Sequence, residues 1–325
     1  MDPLKMRRLD RERFAAQLTD PTIGRPLEEL MKSNDMLSGT ESQRLRSYFS
    51  NNGLEPGRHL DIYGRAIMMG DIESIKLFYK ASLDEHGLKH DSDDAARAAA
   101  TREIYEKRWG PTRVPVYNLI LLSTLIMPPM RRQHLEVARW LIDEAKVPVD
   151  GKDLSGSTAL HHAISTKPAF DPEYAQMLYD AGGIVTLRNR YGGTPAHEIV
   201  MTWDPTNREA VRKAADALKW YLDHGGNLEI KDSDGVAVRH SVNSTKNFAR
   251  KGIQMETWRV VDTEDRRRAN LAGKICTFCG REPGGDVRLL LCSKCRVAHY
   301  CSGGRPCQKA DWPYHRSVCK ATPTA

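Results

Sequence analysis

The 325-residue sequence predicts a mostly α-helical chain, a solenoid of short helix pairs followed by a small module braced by metal. Two observations carry this. DLSGSTALHHAI (residues 153–164) reappears as NRYGGTPAHEIV (189–200), with Thr158 over Thr194 and His161 over His197, a displacement of 36. A weaker third copy, DSDGVAVRHSV (232–242), places His240 43 residues after His197. All seven cysteines lie within residues 276–319, and the other 281 residues contain none. Helix pairs too short to bury their apolar side alone need stacked neighbours. A module with few apolar residues needs a staple.

Residues 1–50 are expected to supply N-terminal capping or docking helices. Leu4, Met6, Leu9, Phe14 and Leu18 fall at partly helical spacing. The interspersed Asp2, Asp10 and Glu12 argue against a targeting peptide. A second helix is predicted from Pro26 to Met31, with Pro26 in its first turn.

Residues 51–245 read as the repeat region. Leu60 to Met69 is predicted as a helix, Gly70-Asp71 as a turn and Ile72 to Lys80 as the partner, with Ile72, Ile75 and Leu77 available to face the first helix. Residues 84–113 interrupt the pattern as an insertion, alanine-rich and hence helical in part, with DSDD as a loop or N-cap. Val116 to Leu125 is the next helix, ended by Met127-Pro128-Pro129-Met130, and His134 to Ala145 is its partner.

After that come the repeated copies. Their second helices, YAQMLYDAGG (174–183) and ALKWYLDHGG (217–226), end in glycine pairs where positive φ is needed. Thr158 and Thr194 are placed to cap the helices that follow them. The histidines recur in equivalent positions, as a structural device does, and His161-His162 make no metal pair because adjacent helical residues diverge.

These copies resemble ankyrin repeats, whose pattern runs D-x-x-G-x-T-P-L-H-x-A and later Leu-Leu-x-x-Gly-Ala. The resemblance spans about residues 55–245 and implies four or five units of a turn and two helices, presenting a surface that binds another protein. Trp109, Tyr117, Trp140 and Tyr191 are candidate anchors on it, with packing as their competing role. Residues 246–275 read as linker and C-terminal cap, with Met255, Trp258, Val260 and Val261 sealing the last repeat. Arg266, Arg267 and Arg268 suggest nuclear import or nucleic-acid contact, but Glu264 and Asp265 dilute them toward a solvated helix.

The cysteine segment reads C-x2-C (Cys276, Cys279), C-x2-C (Cys292, Cys295), Cys301, Cys307, then H-x3-C (His315, Cys319). Seven thiols and an imidazole make the eight ligands of two tetrahedral zinc ions. An odd cysteine count fits a disulfide framework poorly, and the opening residues carry no secretory signal. Order along the chain leaves the grouping of the ligands open.

The segment resembles the MYND-type zinc finger. CTFC, CSKC, HYCS, CQKADWP and HRSVC follow that family's order, over residues 276–319, with residues 320–325 as a tail. The resemblance implies an interleaved grouping, with Cys276, Cys279, Cys301 and Cys307 on one zinc and Cys292, Cys295, His315 and Cys319 on the other. One departure is the five residues between Cys301 and Cys307, where the family usually has three. Gly303 and Gly304 would let that loop bend back to the metal, and His299 is the spare ligand if it does not. The resemblance also implies docking of a short proline-containing peptide on Ser293, Gln308 and Trp312. Eight protein ligands leave no open position for hydrolytic chemistry, so the zinc is structural.

Composition bounds the function further. No apolar run approaches eighteen residues, so no membrane span is expected, and reduced cysteines in zinc spacing indicate cytosol or nucleus. Seven thiolates and two Zn2+ would lower the formal charge of +7 to about +4, which weakens the case for nucleic acid. There is no P-loop, G-x-G-x-x-G or G-x-S-x-G signature. The sequence therefore predicts a non-enzymatic adaptor for other proteins. The alternatives are a transcriptional or chromatin co-regulator that recruits a catalytic partner and, third, an enzyme with an unrecognised site in the helical region.

Overall fold

The computed structural model describes residues 16, 20, 22–89, 92–165, 170–201, 206–245, 255–285, 287–302 and 307–320. The expected helix over residues 1–18 lies outside them except for Ala16, as do Gly303, Gly304 and the tail beyond Lys320. The chain forms two units, residues 1–163 with 171–193 and 232–235, and residues 164–170 with 194–231 and 236–325.

In the first unit, α1 (Leu27–Lys32), α2 (Gly39–Asn51) and the single turn α3 (Pro56–His59) precede the helix pairs. The helix α2 was not predicted. α4 (Ile62–Met69) starts two residues later than the hydrophobic pattern suggests, because Asp61 caps it by accepting the Gly64 N–H at 2.7 Å. α5 (Ile72–Gly87) runs well past Lys80. Its buried face is Ile75 and Tyr79, four apart, while Leu77 lies half a turn away and is 67% exposed, contrary to expectation.

The insertion is mainly a helix, α6 (Asp93–Glu106), capped by Ser92, whose hydroxyl accepts the Ala95 N–H. It buries Ala96, Ala100 and Ile104 and packs along α5. Thr101 on α6 also donates to the Ala145 carbonyl at 2.8 Å.

Next come α7 (Val116–Ile126), a 3-10 turn at Pro128–Met130, and α8 (Arg131–Asp143). α7 is apolar nearly all round because it is enclosed: Leu119 and Ile120 have no exposure, each contributing about 1.5–3 kcal/mol by burial. Its buried hydroxyls bond back into the helix, Ser123 to the Leu119 carbonyl and Thr124 to that of Leu121. His134 on α8 is buried and donates from Nε2 to the Met68 carbonyl at 2.8 Å. α9 (Ala159–Ile164) and α10 (Pro172–Asp180) follow.

The loops between pairs repeat one hydrogen-bond device. Asp153 Oδ1 accepts the N–H groups of Ser155 and Ser157, and Asn189 Oδ1 accepts those of Tyr191 and Gly193. Asp232 accepts that of Asp234. Each loop then turns through a left-handed glycine: Gly156, Gly192 or Gly235. Successive loops pair, Leu154 N–H to Thr112 O at 2.8 Å, Arg190 N–H to Ser155 O at 2.8 Å and Ser233 N–H to Tyr191 O at 3.1 Å. α1 and α2 dock on these loops, with Leu30, Leu37 and Leu45 against Leu154 and Tyr191. The Arg190 guanidinium donates to the Leu30 carbonyl. Trp109, Tyr117 and Tyr191 are buried, so packing decides their role, and Trp140 stacks edge-on against Tyr79.

The second unit holds α11 (Pro195–Ile199), α12 (Arg208–Asp223), α13 (Val238–Thr245) and α14 (Glu256–Asn270). Thr194 and His197 cap α11 reciprocally, with the Thr194 N–H on His197 Nδ1 at 3.0 Å. His197 Nε2 lies 3.1 Å from the Val236 carbonyl, a bridging role that no catalyst requires. His240 is exposed, so the third copy does not reproduce this cap. α14 packs lengthwise on α12, burying Met255, Thr257 and Val261. The unit ends in a two-stranded antiparallel ribbon, β1 (Leu289–Leu291) with β2 (His299–Cys301), and a last helix, α15 (Cys307–His315).

Candidate metal centres

Each C-x2-C pair sits on a tight turn. The Gly280 N–H returns to the Cys276 carbonyl at 2.8 Å and the Arg296 N–H to that of Cys292 at 2.9 Å. Gly280 (φ 69°) and Arg296 (φ 50°) both occupy the left-handed region, folding the backbone so that both thiols of a pair point the same way. The ribbon and α15 bring up the rest. Cys301 ends β2, Cys307 opens α15, His315 closes it, and Cys319 follows one turn later. Tyr300, 2% exposed, locks ribbon to helix by donating to Asp311 at 2.7 Å.

Two groups of four result: Cys276, Cys279, Cys301 and Cys307, and Cys292, Cys295, His315 and Cys319, with ligand atoms all within 4.8 Å of one another in each. Tetrahedral zinc with Zn–S of about 2.3 Å and Zn–N of about 2.05 Å sets S···S edges of about 3.8 Å and S···N edges of about 3.5 Å. Cys279 and Cys301 sulfurs are 3.5 Å apart, those of Cys292 and Cys319 3.8 Å, and Cys295 Sγ lies 3.5 Å from His315 Nε2. All seven cysteines are free, and these spacings are far beyond the ~2.05 Å of a disulfide. The donors fit two structural zinc ions.

The electrostatics point the same way. Backbone N–H groups of Cys295 and Lys294 hold the Cys292 thiol at about 6, and those of Ala298 and Val297 lower Cys295. Hydrogen bonds from Cys279 and Cys307 hold Cys276 at about 2, and the Cys307 thiol is pushed far up chiefly by donating to Cys276. Protons alone cannot let four crowded sulfurs ionise together; a dication can. His299 belongs to neither group and serves the ribbon, its N–H on Thr277 Oγ1 and its carbonyl taking the Thr277 N–H.

Sequence reasoning missed what anchors the first pair. Asn227 Nδ2 donates to the Phe278 carbonyl at 2.9 Å, Arg267 to that of Gly280 at 2.8 Å, and Arg268 to that of Gly226 at 3.2 Å. Glu264 holds both guanidiniums, at 2.8 and 2.6 Å. Arg267 and Arg268 are therefore structural cations, not part of a free basic run. The available signal was Glu264 at three and four residues before them.

The MYND finger family matches residues 276–319. The SET domain and MYND-type zinc finger protein 6 of Schizosaccharomyces pombe is 47% identical over 53 residues, 16% of this chain and 10% of that protein. Human histone-lysine N-methyltransferase SMYD3 is 46% identical over 48 residues, 15% of this chain and 10% of that protein. N-lysine methyltransferase SMYD2-A of Xenopus laevis is 34% identical over 98 residues, 29% of this chain and 20% of that protein. The chain thus spans a tenth to a fifth of these relatives. The zinc module of this chain is similar to those of such SET and MYND proteins. An ankyrin repeat domain from Acinetobacter baumannii AYE superposes with a TM-score of 0.36 at 16% identity, covering 61% of this chain and 95% of that one. The protein is thus a MYND-type zinc module fused to a helix-rich body.

Proposed function

We propose that this protein is an intracellular adaptor, cytosolic or nuclear, whose ankyrin-like helices bind one protein and whose finger docks a proline-containing segment of another. In this reading Cys276, Cys279, Cys301 and Cys307 ligate the first zinc and Cys292, Cys295, His315 and Cys319 the second. The supporting observation is Trp312. It is 45% exposed and lies beside His315, the two rings tilted by 56° with centroids 6.3 Å apart. An exposed indole anchored next to a metal-binding histidine suits a proline ring. Gln308 is exposed one turn earlier on the same face of α15, and Ser293 is exposed in the second Cys pair.

The test is to titrate proline-containing peptides against the full zinc-loaded chain and its Trp312→Ala variant. Saturable binding lost in the variant is expected, and absence of binding to the native chain removes the claim. A second reading, a co-regulator recruiting a catalytic partner, draws on relatives named as histone-lysine methyltransferases. Exclusion from the nucleus in cells would end it.

A further inference from the structure

We propose that the groove between α6 and the stacked loops of the first unit binds an extended acidic segment of a partner protein. This rests on the protein-interaction reading above and names the chemistry of the partner that the helical region would take.

Two cavities of about 710 and 390 Å³ adjoin along α6 and share Tyr105. The larger is lined by five cations and three carboxylates, the smaller by three cations and one carboxylate. Arg97, Arg102, Arg113, Lys146 and Lys152 among them have no side-chain hydrogen bond or ion pair within the described residues. Elsewhere in the unit Arg25, Lys76, Lys89, Lys107, Arg131 and Arg139 are each ion-paired, while Lys32, Arg58, Lys80 and Arg132 also lack a side-chain partner among the described residues but do not line these cavities. Arg108 and Arg188 are fixed by backbone carbonyls, which orient the guanidinium without neutralising it, whereas Arg190, bonded to the Leu30 carbonyl, is also paired with Asp35 at 3.9 Å.

The carboxylates on the same walls are partly spent. Asp153 is engaged by the N–H groups of Ser155 and Ser157 and by His162 at 2.7 Å, and Asp150 faces the Tyr105 hydroxyl. The backbone adds a further point. Among the described residues outside the finger, the non-glycine residues with positive φ are Arg113 (54°) and Lys146 (53°), and both line this groove. Glycine would adopt that conformation without strain, yet these turns carry cations.

Shape and chemistry favour a peptide. Arg97 to Tyr105 spans about 12 Å of helix, matching about four residues of extended chain. Asp94, Glu106 and Asp150 interrupt the positive wall, which suits side chains of intermittent charge and polar backbone better than a continuous phosphate chain. Tyr105 is the groove's single aromatic, too few for a base-stacking platform.

The experiment is fluorescence anisotropy with the full zinc-loaded chain, using a labelled decapeptide of alternating Glu and Ala, the matching Lys decapeptide, and a single-stranded deoxydecanucleotide. The Glu peptide should bind, more weakly as salt rises, and the Lys peptide should not. Arg113→Gly combined with Lys146→Gly should weaken binding about tenfold, two cations at about threefold each, with the melting temperature unchanged or raised. Lys80→Ala with Arg132→Ala, exposed cations off the groove, should leave binding unchanged, and so should Trp312→Ala, which separates this site from the finger. Equal binding of the Glu and Lys peptides, tighter binding of the oligonucleotide, or an unaffected glycine variant would overturn the proposal.

Discussion

The Asn227 side chain donates to the Phe278 carbonyl at 2.9 Å, tying the turn after α12 to the backbone inside the first Cys-x2-Cys pair. Both groups are buried, and Ile230 shares the apolar cluster of Phe278 and the cysteines. The finger is thereby continuous with the helices before it.

Metal removal should accordingly reach further than the finger. The sequence suggests that chelation unfolds residues 276–319 and largely spares the repeats. The bonds from Asn227, Arg267 and Arg268 predict that chelation also exposes α14 and the C-terminal turn of α12. Amide hydrogen exchange with and without chelator reports this. Unchanged protection in α14 would refute the coupling.

Asn227→Leu leaves the buried Phe278 carbonyl only the long 3.5 Å bond from Arg268, and also removes the Oδ1 that accepts the Glu229 N–H at 2.7 Å. A loss of about 1–3 kcal/mol is expected, seen in urea unfolding of the zinc-loaded chain. A loss under a few tenths would mean that the Asn227 side-chain bonds contribute nothing net.

Native protein should contain two zinc ions and the Cys307→Ser variant one, by elemental analysis. Two ions retained by the variant would point to another donor such as His299. Because thiols must deprotonate to bind, zinc should be released as pH falls.

Gly192→Ala should destabilise the first unit by more than the ~1 kcal/mol typical of an unfavourable glycine replacement. The backbone there has φ 73°, and a Cβ would meet the Ser233 backbone nitrogen at 2.4 Å. A lower melting temperature is expected, whereas Gly235→Ala meets no neighbour and suffers only from its φ of 83°.

His134 gives a pH dependence. Burial lowers its pKa below 6.5, opposed by its bond to the Met68 carbonyl, while Nδ1 is buried with no partner among the described residues to receive a second proton. With the folded pKa depressed, the unfolded chain takes the proton first. This contribution to stability is complete above about pH 6.5 and declines as pH falls through the folded value. Unfolding free energy measured from pH 7.5 to 5.5 should fall less steeply in His134→Gln.

Much of this protein is legible before folding. Metal ligands announce themselves because zinc fixes both residue type and close spacing, and the repeat is visible because each copy solves the same turn with Asp or Asn, glycine and threonine. Helix ends depart from the hydrophobic periodicity where a cap outweighs it, as Asp61 does for α4, and α2 is not legible along the chain because its apolar contacts lie on loops more than a hundred residues away. Those local signals determined the helical class, the eight candidate metal ligands and the capping role of Thr194 with His197, while the division of the ligands into two groups of four needed the fold to bring them together. Only the tertiary structure decided that Arg267 and Arg268 serve the finger, that Leu77 faces outward, and that unpaired cations line α6. Each of these outcomes depends on which distant backbone carbonyl or carboxylate arrives at a side chain, and neither charge nor periodicity along the chain encodes that.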